Sequence, residues 1–346
     1  MNKNVYDVII IGGGPSGITL AFSLLQSHYS TYVIEKSRFP RDKLCGGLMT
    51  RKSVDLYTDI WGKDIFDEVP HIKTDKVIVH TGLTKCAIYR KRRNPYIIVD
   101  RKIFDARLVN RFKNAGGNIK EEERKYKVDY DKKTIIMEDG SILGYRYLVG
   151  ADGVYSVTRK YVDPSYIIPD GICLQTYHSD RIETFNPLSI HLYYGLLDVG
   201  YGWQFPREDG FLTGAISQVH NGDIKGAYAA ILKLAGIKPN RPPQAMHIPF
   251  GKYVKTPMRN EVYLVGDAAG FVNPITGEGL YFAALSAKLA CREIVNSIKR
   301  KNYTSFYCQR AKQIQWSIRV FMLLRKWFYN DRVRKIWFGL IWKKLQ

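Results

Sequence analysis

Residues 5–11 (VYDVIII) form a near-continuous apolar run, the pattern of a strand buried on both faces in a parallel sheet. The period then changes. From 16 to 27 the apolar positions Ile18, Leu20, Ala21, Leu24 and Leu25 recur at helical spacing, and 31–34 reads as a second strand ending at Glu35. Residues 97–99 predict a short strand and 102–115 a helix that Asp100 caps and Gly116-Gly117 stops. Apolar strands recur at 147–149 and 262–265, each leading into small residues, and a helix is expected from Leu280 to about Ile298. The stretches 190–197 and 201–205 are strand-like and rich in aromatics. In the last segment, 313–344, Trp316, Val320, Leu323, Leu324, Trp327 and Phe328 are spaced by three and four. Arg319, Arg325 and Lys326 lie beside them, and Tyr329-Asn330-Asp331 marks a break between two helices.

Between the first strand and helix, Gly12-Gly13-Gly14-Pro15-Ser16-Gly17 fits G-x-G-x-x-G, with Glu35 following 18 residues after Gly17. Gly12 makes the tight turn, Gly14 admits a diphosphate to the backbone, and Gly17 lets helix pack on strand. Glu35 accepts from a ribose hydroxyl. Strand, glycines, helix, strand and acid in this order specify a dinucleotide site, with Ser16 and Lys36 counted among its residues. The motif leaves NAD and FAD both open, and its position at the start of the chain leans towards FAD.

Composition narrows the class. The chain has 346 residues, 45% hydrophobic and 25% charged, an ordinary globular balance. Five dispersed cysteines with no C-x-x-C pair and seven scattered histidines predict no metal site and no iron–sulfur cluster. No Ser-His-Asp constellation suggests hydrolysis. No apolar stretch reaches the length of a membrane span, and no signal-peptide pattern opens the chain, so the expectation is a cytoplasmic protein. The net charge is +21, and the segment 299–346, with thirteen basic residues and one acid, carries +12 of it. No zinc-finger or RNP-type motif accompanies the charge, so nucleic acid is not expected as a partner. The tail at 313–344 instead suits peripheral contact with an anionic membrane on its inner face, or a helix pair covering a sheet. The run Arg90-Lys91-Arg92-Arg93 reads as a solvated hairpin turn.

Gly12–Gly17 with Glu35, Asp100-Arg101, Gly150-Ala151-Asp152-Gly153 with Ser156 and Arg159, and Gly266-Asp267 together resemble the p-hydroxybenzoate-hydroxylase-like FAD flavoproteins. More narrowly, Pro40-Arg-Asp-Lys-Leu-Cys45-Gly-Gly, Tyr201-Gly-Trp203-Gln-Phe205-Pro206 and the run 266–279 (GDAAGFVNPITGEG) resemble the geranylgeranyl reductase family. The resemblance runs from about residue 5 to 298. It implies FAD as cofactor, with Gly12, Gly14, Gly17 and Glu35 on its ADP half, and Arg101 and Asp267 at the diphosphate and ribityl region. It also places Gly279 and Leu280 amides at the isoalloxazine, with Cys45, Gly46 and Gly47 beside the ring. Tyr193, Tyr201, Trp203 and Phe205 would bind substrate, with Cys45 and Tyr201 as catalytic candidates. Two departures touch the substrate wall: Gly214-Ala215-Ile216 keeps only the first glycine of a usual Gly-x-Gly, and the chain is short between 161 and 201.

The architecture expected is α/β: a Rossmann-type FAD-binding domain from 1–75, 98–165 and 255–298, with an inserted, mainly antiparallel β substrate domain from 76–97 and 166–254. A basic amphipathic helical tail, 299–346, closes the chain. The activity expected is hydride transfer from reduced FAD to a carbon–carbon double bond of an isoprenoid lipid. The alternatives are an FAD-dependent monooxygenase of an apolar substrate and a flavoprotein electron carrier to quinone. The external reductant, whether NAD(P)H, ferredoxin or another electron-donor protein, is left open.

Overall fold

A computed structural model describes residues 4–82, 84–90, 95–166, 171–179, 188–219, 222–238, 241–300 and 306–333. The basic run at 90–93 therefore lies almost wholly outside the described residues, as does the tail beyond 333. The helices are α1 (Pro15–Gln26), α2 (Arg51–Trp61), α3 (Arg101–Asn114), α4 (Thr158–Val162), α5 (Ile224–Leu234), α6 (Leu280–Lys299) and α7 (Tyr307–Tyr329).

An eight-stranded sheet organises the cofactor half. Its order is Met258–Arg259, Val262–Leu264, Ile142–Gly150, Asn4–Ile11, Thr31–Ile34 and Asn118–Lys120. Thr134–Met137 and Tyr126–Asp129 form a hairpin beside Ile142–Gly150. The five strands from Val262–Leu264 to Asn118–Lys120 run parallel. Parallel strands are covered on both faces, and Val8, Ile9, Ile10 and Ile11 are accordingly buried without alternation. Burial of side chains of this size stabilises by about 1.5–3 kcal/mol each. α1 turns Ile18, Leu20, Ala21 and Leu24 into this core, α3 turns Phe104, Leu108, Val109 and Phe112, and α6 turns Ala284, Ala287, Ala290 and Ile294.

Register decides where the site lies. Ile11 pairs with both Gly150 and Ile34, and Gly150 pairs with Leu264. The glycine loop, Glu35, Ala151–Gly153 and Gly266-Asp267 therefore all emerge at the carboxyl end of one sheet, where open α/β sheets bind ligands.

The second sheet has seven strands in the order Gln244–Ile248, Gly171–His178, Gly210–Gln218, Gly200–Arg207, Ser189–Tyr194, Lys76–Thr81 and Thr84–Arg90. Every pairing is antiparallel except Ser189–Tyr194 against Lys76–Thr81. A small sheet of Leu48–Met49, Tyr96–Val99 and His71–Thr74 lies on the chain between the two. The expected α/β architecture, a parallel Rossmann-type sheet with a mainly antiparallel second sheet, is the one observed.

Candidate cofactor site and apolar wall

Pro15 supplies the first helical position of α1, where its missing N–H is harmless, and no side chain caps the helix. Its orphan amide donors stay available to an anion. Gly12 has φ +105, and a Cβ there would lie 2.3 Å from the Ala151 carbonyl oxygen. A Cβ at Gly17 would lie 1.9 Å from the Gly12 oxygen, so both positions are closed to larger residues by backbone. At Gly14 the nearest atom to such a Cβ is the Arg41 guanidinium, at 3.6 Å, which leaves one open cradle face with a cation over it. Buried Glu35 accepts from Gly13 N (2.7 Å) and Ser37 N (3.0 Å), and Arg41 Nε stands 4.0 Å from it. This glycine turn, uncapped helix end, buried acid and overlying arginine fit the ADP half of FAD.

The later segments converge on the same place. Gly266 has φ +58, and a Cβ there would meet Ser16 Oγ at 2.7 Å. Ser16 thus faces the Gly266-Asp267 turn. Asp152 accepts from Val157 N and Thr158 N, which folds 150–159 back on itself. Arg159 then donates to the carbonyls of Val154 (2.6 Å) and Ala268 (3.1 Å), tying that loop to the turn after Leu264. A Cβ on Gly279 would lie 3.4 Å from Asp267 Oδ1, which places the start of α6 beside Asp267, and Gly279-Leu280 open that helix without a side-chain cap. Arg101 is buried and bidentate to Asp105, Nε at 2.7 Å and Nη2 at 2.8 Å. Burial alone would lower its pKa, but Asp105 and Cys45 outweigh it and the net shift is upward. Lys36 is exposed, and its carbonyl accepts from Arg124.

The loop 43–47 joins the two halves. Gly47 has φ +70, and a Cβ there would sit 2.0 Å from the Val99 oxygen, while one on Gly46 would sit 2.5 Å from the Phe205 ring. Cys45 Sγ accepts from Gly47 N at 3.4 Å, and Arg207 donates to the Gly46 carbonyl at 3.0 Å. Facing this loop is an apolar cluster that includes Tyr194, Tyr201, Trp203, Phe205, Cys173, Ile216, Phe250 and Tyr329. Tyr201, Trp203 and Phe205 occupy alternate positions of one strand and share a face, ring to ring at 5.8 and 6.0 Å.

Tyr193 does not belong to that wall. Its hydroxyl donates to Gln204 (2.6 Å) and its ring stacks on His80, on the opposite face of the sheet. The period of two places Tyr194 on the wall instead, 5.4 Å from Tyr201. Tyr201 donates to Thr276 O (2.6 Å) and Tyr329, at the end of α7, donates to Ile275 O (2.7 Å). Asn273 accepts from Ile275 N and Thr276 N, and Glu278 accepts from Thr50, Ser53 and Lys52. The loop carrying Gly277 and Gly279 is thereby held from three sides. Burial, reinforced by neighbouring tyrosines and cysteines, raises the Tyr201 pKa well above its ordinary range, and burial pushes Cys173 up to about 12.

Two cations here were not among the expected site residues. Arg41 stands over Gly14 and 3.6 Å from Asp105. Lys43 Nζ donates to Met246 Sδ at 2.8 Å and has no carboxylate partner among the described residues. Burial lowers its pKa in spite of Asp267 and Cys45 nearby. Both lie inside the run Pro40–Gly47 that carries the family resemblance, but neither was singled out there, because each reaches its partners only through tertiary folding.

Comparison with known proteins agrees with this geometry. An FAD binding domain family model matches residues 5–176, and a tryptophan halogenase model matches 168–337. A conditioned medium factor receptor 1 of Dictyostelium discoideum is 25% identical over 87% of this chain, which spans 65% of that relative's length. A chloroplastic geranylgeranyl diphosphate reductase of Nicotiana tabacum is 28% identical over 94% of this chain and 75% of its own. The solved structure of a geranylgeranyl bacteriochlorophyll reductase-like protein of Thermoplasma acidophilum superposes with a TM-score of 0.77 at 21% identity, over 99% of this chain and 91% of that one, which is likeness of fold. With these matches and the cradle described above, the chain is an FAD-dependent oxidoreductase of p-hydroxybenzoate-hydroxylase-like fold, and geranylgeranyl reductases are among the proteins it is similar to.

Proposed function

We propose that the protein reduces carbon–carbon double bonds of an isoprenoid lipid. The observation that carries this reading is the wall itself. The strand face of Tyr201, Trp203 and Phe205 packs directly on the Cys45–Gly47 loop and offers aromatic surface with few polar handles, as a prenyl chain requires. The reductase names among the relatives support it.

Reduced FAD, when bound, supplies the hydride. The alkene would gain that hydride on one carbon and a proton on the other, and an external donor would have to restore the flavin's two electrons. An isolated alkene has no carbonyl to hold negative charge, so positioning and water exclusion by the wall matter more than an acid–base pair. Among the protic groups on this wall, Tyr201 has its proton committed to Thr276 O, and Cys173 is a weak acid in its buried site. Cys45 and Lys43 remain as proton sources. Burial makes the Lys43 ammonium a stronger acid than usual. Tyr201 in this reading is a positioning residue for the loop at 273–279.

Oxygen chemistry is the second reading, favoured by the tryptophan halogenase model over 168–337, the stretch that supplies most of the wall. The two separate cleanly. Reduced holoenzyme under argon, given a geranylgeranyl lipid, yields a product gaining one hydrogen pair per bond by mass spectrometry. An unchanged lipid under argon with an oxygenated product in air would establish the second reading.

A further inference from the structure

The helix α7 has two unlike faces. Its inner face does structural work with polar as well as apolar groups. Tyr307, Ala311, Ile314 and Ile318 are buried, Gln315 donates to the carbonyls of Val254 and Lys255, and Arg325 donates to Phe250 O and Gln218 Oε1. The outer face carries Trp316, Leu323 and Trp327, exposed at 68%, 70% and 66%, flanked by Leu324 at 50%. At 100° per residue these three fall within an arc of about 40°, opposite the buried face. Beside them Lys312, Arg319 and Lys326 make a parallel strip about 40° wide. All three cations are exposed, none has a carboxylate partner among the described residues, and α7 contains no acid. The arginine expected to flank the apolar stripe, Arg325, instead points inward.

We infer that this outer face docks the protein on an anionic lipid bilayer. A tryptophan–leucine stripe left in water is a large unpaid exposure, and a cation strip beside it is the pattern of a helix lying in the headgroup plane. The strip also argues against a second copy of this chain as the occupant, because two such faces would bring six uncompensated cations together. An acidic surface that also accepts tryptophan to a depth of several ångströms is a bilayer of anionic phospholipid. The same helix runs straight into the wall. Phe328, next to Trp327, packs edge-on against Tyr194 at 5.4 Å, and Tyr329 holds the loop at Ile275. The bilayer contact is thus continuous in sequence with the apolar wall, yet it does not depend on what reaction takes place there.

The test uses full-length holoenzyme and sonicated vesicles of phosphatidylcholine, with or without phosphatidylglycerol, read by sedimentation and tryptophan emission. The wild type is expected to sediment with phosphatidylglycerol vesicles, with a blue-shifted emission, and to release as salt rises. The variant W316S/L323Q/W327S is expected to lose at least tenfold in partition. The variant K312Q/R319Q/K326Q is expected to lose roughly fivefold per cation on anionic vesicles only. Unchanged melting temperature and FAD content show that either variant folds. Equal binding by wild type and both variants, or no wild-type binding, would overturn the inference. A dimer in gel filtration that W316S/L323Q/W327S dissociates would also overturn it, by making a second copy the occupant.

Discussion

A single methyl group at Gly46 probes the junction between the cofactor half and the apolar wall. The backbone there has no need of glycine's left-handed freedom, so Gly46→Ala acts by space alone. The added Cβ falls 2.5 Å from Cε2 and 2.7 Å from Cδ2 of Phe205, whereas carbons rest at about 3.5–4.0 Å. Roughly 1 Å must therefore be found. Phe205 is buried and stacked at 28° on Trp203, which itself packs on Tyr201, so the ring cannot swing without disturbing two others. Overpacking of this kind destabilises by about 1–3 kcal/mol. A chain of this length melts with an entropy that converts each kcal/mol into about 1.4 °C, so the melting temperature should fall by about 1–4 °C. Phe205→Ala removes the colliding ring carbons, so Gly46→Ala should cost almost nothing in that background, a coupling of about 1–3 kcal/mol. Thermal denaturation of the four proteins of this cycle reads the result. Additive effects of the two substitutions would refute the packing of the Cys45–Gly47 loop on Phe205, and with it the placing of the wall beside the cofactor.

Other consequences concern individual residues. Gly17→Ala puts a Cβ 1.9 Å from the Gly12 oxygen and must push α1 off its strand; FAD affinity, read by quenching of flavin fluorescence, should fall at least about tenfold. Tyr201→Phe loses one hydrogen bond to Thr276 O, about 1 kcal/mol by melting, and as a positioning change should leave the pH profile of turnover unmoved; a profile displaced together with a large fall in rate would make Tyr201 the proton donor. Lys43→Met should stabilise the apoprotein. The folded pKa of Lys43 lies below the ordinary lysine value of 10.5, so between the two the unfolded chain binds more protons and wild-type stability rises with pH. The advantage of the variant is therefore full below the folded pKa and closes as pH rises towards 10.5 in denaturant melts.

The cofactor half was legible in the sequence because its signals are local. Gly12 and Gly17 must be glycine for reasons of backbone approach, Gly14 leaves the cradle face open, and Glu35 follows one helix and one strand later, so spacing alone announces them. Arg41 and Lys43 sit inside the Pro40–Gly47 motif, but what they touch was not legible there: one reaches Gly14 and the other Met246 by folding of a loop without regular structure. The wall was half legible. The resemblance named Tyr201, Trp203 and Phe205 together, and the structure puts them on one strand face, but the choice between Tyr193 and Tyr194 depends on which way the neighbouring strand turns, which pairing decides and composition does not. The tail illustrates the converse. Helical spacing placed Trp316, Leu323 and Trp327 together, yet left open whether they face protein or not. The buried side of α7 includes Gln315 and Arg325, whose donors meet backbone carbonyls, so hydrophobicity alone could not say which side turned inward.

The most direct measurement of the central claim is a single turnover without oxygen, in which holoenzyme carrying fully reduced FAD is mixed with a geranylgeranyl lipid while flavin absorbance and lipid mass are followed together. Return of the oxidised flavin spectrum in step with the gain of one hydrogen pair per flavin is the predicted result. A flavin that stays reduced over an unaltered lipid, and reoxidises only when air is admitted, would contradict the account.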